Sequence, residues 1–505
     1  MRATSLIFTL LLGCSGDPDA KDGPKGTDPG TTSPTTPGAP SLADQLAIGK
    51  LSVYQGVEVV LWAGSGPPTQ MQAPVVMGRD AAVRVFLRPD AALAGTTVTG
   101  ELTLTTGGAE QLVDTVSVTL GDESIDDDLA TTLNFTLDGD SITQDLAFRV
   151  TLRADGGAAD DTVVWSSDEL PSGVPTGDSD HLEVVILPVQ YDADGSGRLP
   201  DLSQARLDEF RDAMYRIYPA QSVTVRVGET LVWDQTITAM NPLGWSRLLN
   251  AASDLRGYAD EPENTYYYAM FEPMDSFYEY CAQGCILGLS NPGINTTNPS
   301  LRTSIGVGYE EYAATTMVHE IGHAHGRFHA PCGGAAGADP NYPYDGALIG
   351  TWGYDLLDGT LKDPTVMTDI MGYCEPVWVS NYTYFNLWER IDALRQIEEG
   401  ARQPMREVTR LFTDGADLTE VLGPMRVGDP LLGALRVDVD LTDAAGQPAG
   451  RVDGAYTPYD HVPGGVVLLD RLLPAGWTAR VHAPTSGPGV ILPGTVVSGA
   501  EAVLH

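Results

Sequence analysis

Hydrophobic positions recur along residues 46–175 in short alternating stretches: Leu51–Val53, Val57–Trp62, Ala82–Leu87, Val98–Leu104, Val113–Leu120, Leu133–Leu137 and Leu146–Leu152. Gly, Asp and Pro separate them. A period of two turns one face of each strand to a core and the other to water, so this region predicts an all-β sandwich. After residue 176 the pattern changes. Leu182–Val189 is a continuous apolar run, expected for a buried strand. Residues 204–218 then place Leu207, Phe210, Met214 and Ile217 on one face of an amphipathic helix. Ser222–Val227 and Tyr266–Phe271 predict strands, and Leu243–Leu255 a second helix. Ile286–Ser290 and Ser304–Gly308 predict two short strands, the second leading into a helix over 310–326. A closing helix is predicted over 384–399. Residues 406–505 return to β character, with runs at Leu435–Leu441, Gly465–Leu472 and Trp477–His482, and predict one small β-sandwich. The expected fold is multidomain: an α+β domain over 176–405, flanked by all-β sandwich-like domains over 46–175 and 406–505.

The first residues, M-R-A-T-S-L-I-F-T-L-L-L-G-C, hold one basic residue and an apolar run from Leu6 to Leu12. The run is too short to span a bilayer. It resembles a bacterial export signal ending in a lipobox, L-L-G-C. That resemblance implies a lipoprotein signal peptide over 1–14, lipidation of Cys14, and an exported lipoprotein at the outer membrane or cell surface, or released from it. The alternative is an ordinary signal peptide with an unrelated Cys. Residues 15–45 are rich in Pro, Gly and Thr, with few large apolar side chains, and predict a disordered tether.

Charge narrows the function classes. The chain carries 68 acidic against 29 basic residues, a net charge of -39. Such a surface repels phosphate backbones and anionic bilayers. Nucleic acid is therefore excluded as a partner, and membrane contact is expected only through the lipid anchor. A monomer is expected. The five Cys divide into Cys14, the pair Cys281–Cys285 and the pair Cys332–Cys374. One lipid and two disulfides would use all five in an oxidising setting. A Cys-based metal site is the rival, but no C-x-x-C pair exists.

The candidate chemistry lies in H-E-I-G-H-A-H-G-R-F-H, His319 to His329. On a helix, His319 and His323 lie one turn apart on one face, so both imidazoles can reach one metal ion. Glu320 follows the first of them, where its carboxylate can reach water on that metal. Gly326 can end the helix in a left-handed conformation, and the returning chain can bring His329 as a third ligand. Three protein nitrogens leave a fourth position open, the pattern of a catalytic zinc. The competing reading is a His-rich surface helix. His325 falls on another side of the helix and reads as a non-ligand.

This stretch fits H-E-x-x-H-x-x-G-x-x-H, and with T-D-I-M-G-Y-C, Thr368 to Cys374, it resembles the metzincin zinc metallopeptidases. The stretch H-E-I-G-H through M-G-Y-C, with the Cys placed around it, resembles bacterial secreted metzincins, which include mucin-cleaving enzymes. The resemblance covers about 180–400. It implies Zn2+ on His319, His323 and His329, Glu320 as general base, and Met371 in a tight turn beneath the metal. It implies Tyr373 as a stabiliser of the oxyanion, with packing as the alternative. It also implies that Ile286–Ser290 is an antiparallel edge strand that pairs with substrate backbone, with an ordinary sheet strand as the alternative. A Cys332–Cys374 disulfide would tie the third ligand's loop to the Met-turn, contributing roughly 4 kcal/mol. Trp378, Tyr382 and Tyr384 either line a substrate pocket or pack against the closing helix, and Tyr384 is expected to pack.

The expected function is zinc-dependent endopeptidase action on extracellular proteins or glycoproteins. The alternative is a lipid-anchored surface adhesin or glycan-binding protein on the same scaffold. Asp192, Asp194, Ser196 and Gly197 mimic half a calcium loop, but Ser203 stands where an acidic ligand belongs. A tight turn is the favoured reading and a Ca2+ site the alternative. His461, His482 and His505 show no ligand spacing and read as surface or packing residues. The N-terminal β domain could bind carbohydrate, act as a spacer or be an inhibitory prodomain. A cysteine switch is ruled out there, because Cys14 is the only upstream Cys.

Overall fold

The computed structural model describes residues 40–482, apart from residues 65, 69–72, 107–108, 240–241, 292, 294, 401–403, 415–418, 429–433 and 460. Cys14, the signal segment, most of the tether and His505 lie outside the described residues. The content is mixed and mostly β, with several sheets and few helices.

The alternating stretches of the N-terminal part form two antiparallel sheets. One is built on Leu46–Tyr54, Gly56–Ala63, Ala81–Pro89 and Thr132–Leu137. The other holds Thr97–Thr106, Ala109–Thr119, Phe148–Ala154 and Thr162–Ser166. Their inward residues, among them Leu51, Val53, Val85, Leu102 and Val150, share one buried core. The first sheet is completed by a hairpin far along the chain, Gly353–Asp355 and Thr360–Lys362. It lies in the Gly-, Asp- and Tyr-rich segment after the third motif His.

The second part is a five-strand path. It runs Ser222–Val227, His181–Tyr191, Thr265–Phe271, Thr303–Val307 and Gly288–Ser290. The first four are parallel, and Gly288–Ser290 is antiparallel at the edge. The strand His181–Tyr191 is apolar on both faces because both are covered. Leu182, Val184 and Ile186 face the helices Gln204–Ile217 and Ala313–Ala324. Val185, Leu187 and Val189 face the helix Pro242–Tyr258. The closing helix is Asn381–Glu399, three residues longer at its start than the sequence predicts. Its start is capped by Ser380, whose side chain accepts from Thr383 N.

The expected C-terminal sandwich is instead one six-stranded antiparallel sheet over residues 406–481. A second sheet is not needed, because one face packs Val408, Phe412, Met425 and Leu468 on the side of the helix Pro242–Tyr258. The other face curls around its own cluster of Leu411, Val439, Leu441 and Val467. Ion pairs fix the sheet to that helix: Arg410 to Asp254 at 3.0 Å and Arg247 to Glu420 at 2.8 Å.

Candidate active site

The helix Ala313–Ala324 carries the first half of the motif, and nearly its whole length is buried. Its end follows from Gly326, at φ +84. Gly326 N donates to His323 O at 2.8 Å, and Arg327 N to Gly322 O at 3.0 Å. This satisfies the last carbonyls and reverses the chain. His329 then returns to the helix face that bears His319 and His323.

Each of the three imidazoles is held by its Nδ1. His319 bonds Ile370 O at 2.7 Å, His323 bonds Arg327 O at 2.7 Å, and His329 bonds Ala336 O. A carbonyl only accepts, so each Nδ1 carries the proton and each Nε2 presents a lone pair. The Nε2 atom of His323 lies 3.1 Å from that of His319 and 3.1 Å from that of His329. Lone pairs that face each other so closely repel unless a cation lies between them. Zinc–nitrogen bonds of about 2.0–2.1 Å in tetrahedral geometry place ligands about 3.3 Å apart, so the donor set fits a zinc ion. Burial, with neighbouring imidazoles, holds the pKa of His319 and His323 well below the usual histidine value. The neutral form that a metal needs is thus the resting form.

The chain around Met371 supports this trio from below. Met371 is buried, and a Cβ on Gly322 would lie 2.4 Å from its Sδ, so helix and turn touch. Asp369, fully buried, accepts from Met371 N at 2.8 Å and from Ser380 N at 2.9 Å. Ala330 N donates to Met371 O at 2.9 Å, and the Cys332–Cys374 disulfide, with Cα atoms 5.7 Å apart, closes the same junction. Cys281 and Cys285 form the second disulfide.

Glu320 is buried beside the edge strand: a Cβ on Gly288 would lie 2.4 Å from its Oε1. The hydroxyl of Tyr373 lies 3.1 Å from His329 Nε2. His325 points away, stacked on Tyr266 with centroids 4.1 Å apart, its Nδ1 bonded to Ile321 O. Trp378 and Tyr384 are buried and bonded within the fold. Trp378 donates to Gly56 O at 2.8 Å, and Tyr384 to Gln55 O at 2.6 Å, locking the closing region to the N-terminal sheet. Tyr382 donates to Asp339 at 2.8 Å. The half-calcium loop is a tight turn: Asp194 accepts from Ser196 N and pairs with Arg198, closed by Gly195 and Gly197 at positive φ.

One residue overturns its expected role. His461 is neither a surface nor a packing residue. Its ring lies 4.9 Å from that of His329 and 5.3 Å from those of His319 and His323. Its Nε2 lies 3.0 Å from Glu320 Oε1, and its Nδ1 bonds the Tyr373 hydroxyl. The four imidazoles form the metal-capable group of His, Cys, Asp and Glu among the described residues. No local spacing could have shown this, because the hairpin that carries His461 belongs to a different sheet. His482 stays at the surface and pairs with Asp440 at 2.7 Å.

Residues 299–375, which include the whole His motif and the Met-turn, match the family model of peptidase M66, a metallopeptidase family. The match supports a peptidase. No curated protein sequence matches the chain. Among solved structures, a β-glucosidase from Listeria innocua in complex with gluconolactone is similar at 17% identity. The similarity spans 22% of this chain and 15% of that one, with a TM-score of 0.14, too low to carry an argument.

Proposed function

We propose that this protein is a zinc-dependent endopeptidase of metzincin type, with proteins or glycoproteins outside the cell as substrates. The carrying observation is the convergence of three Nε2 atoms whose Nδ1 partners are all backbone carbonyls. His319, His323 and His329 would hold the ion. When bound, zinc supplies a Lewis acid that acidifies water and polarises a carbonyl.

The chain's own groups do the rest. The edge strand Gly288–Ser290 offers its backbone to an extended peptide by strand addition. Glu320, set between that strand and the trio, accepts the proton of the attacking water and passes it to the leaving amine. The Tyr373 hydroxyl donates to the oxyanion of the tetrahedral intermediate. The expected setting is an exported lipoprotein anchored through Cys14, which suits the two disulfides.

The test is Glu320→Gln. It should bind zinc as the parent does and lose roughly 10²–10⁴-fold in turnover. Full turnover in that variant would remove Glu320 from the role of base.

A further inference from the structure

We infer that His461 is a positioning residue of this hydrolytic site, supplied by the C-terminal sheet to hold Glu320 and Tyr373 over the imidazole trio. The inference rests on the peptidase reading above. Three observations support it.

The first is delivery. His461 sits in the turn between the strands Pro448–Pro458 and Gly465–Leu469. That turn is tied at both ends. Tyr459 N donates to Gly464 O at 3.0 Å, and the Tyr459 hydroxyl bonds Ser246 Oγ at 2.6 Å on the helix Pro242–Tyr258. Val462, buried, belongs to the core cluster that includes Trp245 and Leu248 of that helix. The imidazole is thus presented by a braced hairpin, fixed to the helix by the same face that carries the Arg410–Asp254 pair.

The second is the use of both ring nitrogens. Nδ1 engages the Tyr373 hydroxyl and Nε2 the Glu320 carboxylate. The ring stands against both groups at once: its Nδ1 bonds the Tyr373 hydroxyl, and its Nε2 lies 3.0 Å from Glu320 Oε1. The three motif histidines differ: each turns Nδ1 to a backbone carbonyl and Nε2 to its fellows. His461 spends both nitrogens on the two groups that handle protons.

The third is the need for such a brace. Glu320 lies against the backbone of Gly288, in a space that a single Cβ would fill. A carboxylate there must keep one rotamer to meet water on the correct side. A fixed imidazole 3.0 Å from Oε1 selects that rotamer, in the way outer groups orient metal-site residues.

The experiment uses the full chain, zinc-loaded, as parent, His461→Ala, His461→Gln and Glu320→Gln. Casein hydrolysis gives kcat and KM, and the cobalt-substituted forms give visible absorption spectra. Chains with 15N-labelled histidine give the downfield imidazole N–H signals. The inference predicts that His461→Ala loses about 10–100-fold in kcat with KM unchanged. Zinc content, cobalt spectrum and Tm should match the parent, and one downfield N–H signal should vanish. His461→Gln can place an amide N–H near the Nε2 position, and should recover part of the loss. A changed cobalt spectrum or lost zinc would make His461 a ligand and overturn the inference. A rise in kcat would make it a plug, with the same result, and unchanged kcat or a full set of downfield signals would also overturn it. Failure of the peptidase reading looks different: Glu320→Gln stays active, or the parent cleaves nothing.

Discussion

Gly288 and Gly322 each leave room for one neighbour, and each neighbour belongs to the site. A Cβ at 322 would overlap Met371 Sδ, and a Cβ at 288 would overlap the Glu320 carboxylate. Gly322→Ala should therefore destabilise the fold by about 1–3 kcal/mol through overpacking, read as a lower denaturant midpoint. Gly288→Ala should push Glu320 off its position, so that kcat falls while zinc content stays at the parent level. An unchanged kcat would show that the carboxylate has room to move. At this scale the sequence was legible wherever function depends on helical spacing. His319, His323, Glu320, Gly326 and His329 all lie within one helix and its exit turn, so their relation is fixed by the helical repeat and one left-handed residue. His461 was illegible for the converse reason. Its neighbours are reached through the packing of a separate sheet, which no spacing encodes.

The elements that carry these residues are joined at a few strong points. Asp369 links the Met-turn to the start of the closing helix through two backbone N–H groups, fully buried. Asp369→Ala leaves both donors without the carboxylate and should cost about 2–5 kcal/mol, measured by chemical denaturation. Conversion of Cys332 and Cys374 to Ser should cost roughly 4 kcal/mol on the chain-entropy model. A loss below about 1 kcal/mol would mean that the Ala330–Met371 bond already holds the junction. Period-two alternation made the N-terminal strands readable, and the double-sided apolar run at Leu182–Val189 made the central strand readable. The hairpin at residues 353–362 was not readable, because each of its strands spans only three residues in a Gly- and Asp-rich segment. The C-terminal sheet misled for another reason. Its alternation implies a covered face, but not whether another sheet or a helix covers it.

Across the whole molecule, buried histidines tie stability to pH. Burial is the first cause that lowers the pKa of His319, His323 and His325 in the folded chain. The unfolded chain binds protons more readily, with a pKa near ~6.5. Their contribution is complete above that value and is lost as pH falls through it toward the depressed folded values. Metal-stripped protein should therefore show a Tm that falls between pH 7.5 and pH 5.5, and zinc should shift the fall to lower pH. A Tm flat across that window would mean that these imidazoles are already accessible to protons in the folded state.

Whether the imidazole trio holds the metal of a peptidase is decided by mapping new amino termini. A mixed peptide and glycoprotein pool would be incubated with three samples: the parent, the parent stripped by a chelator, and the stripped parent restored with zinc. The cut sites would be read by mass spectrometry. Cuts are expected with the parent, none after stripping, and the same cut positions after zinc is restored. Cuts that persist in the stripped sample, or a folded zinc-restored sample that makes none, would contradict that role of the trio.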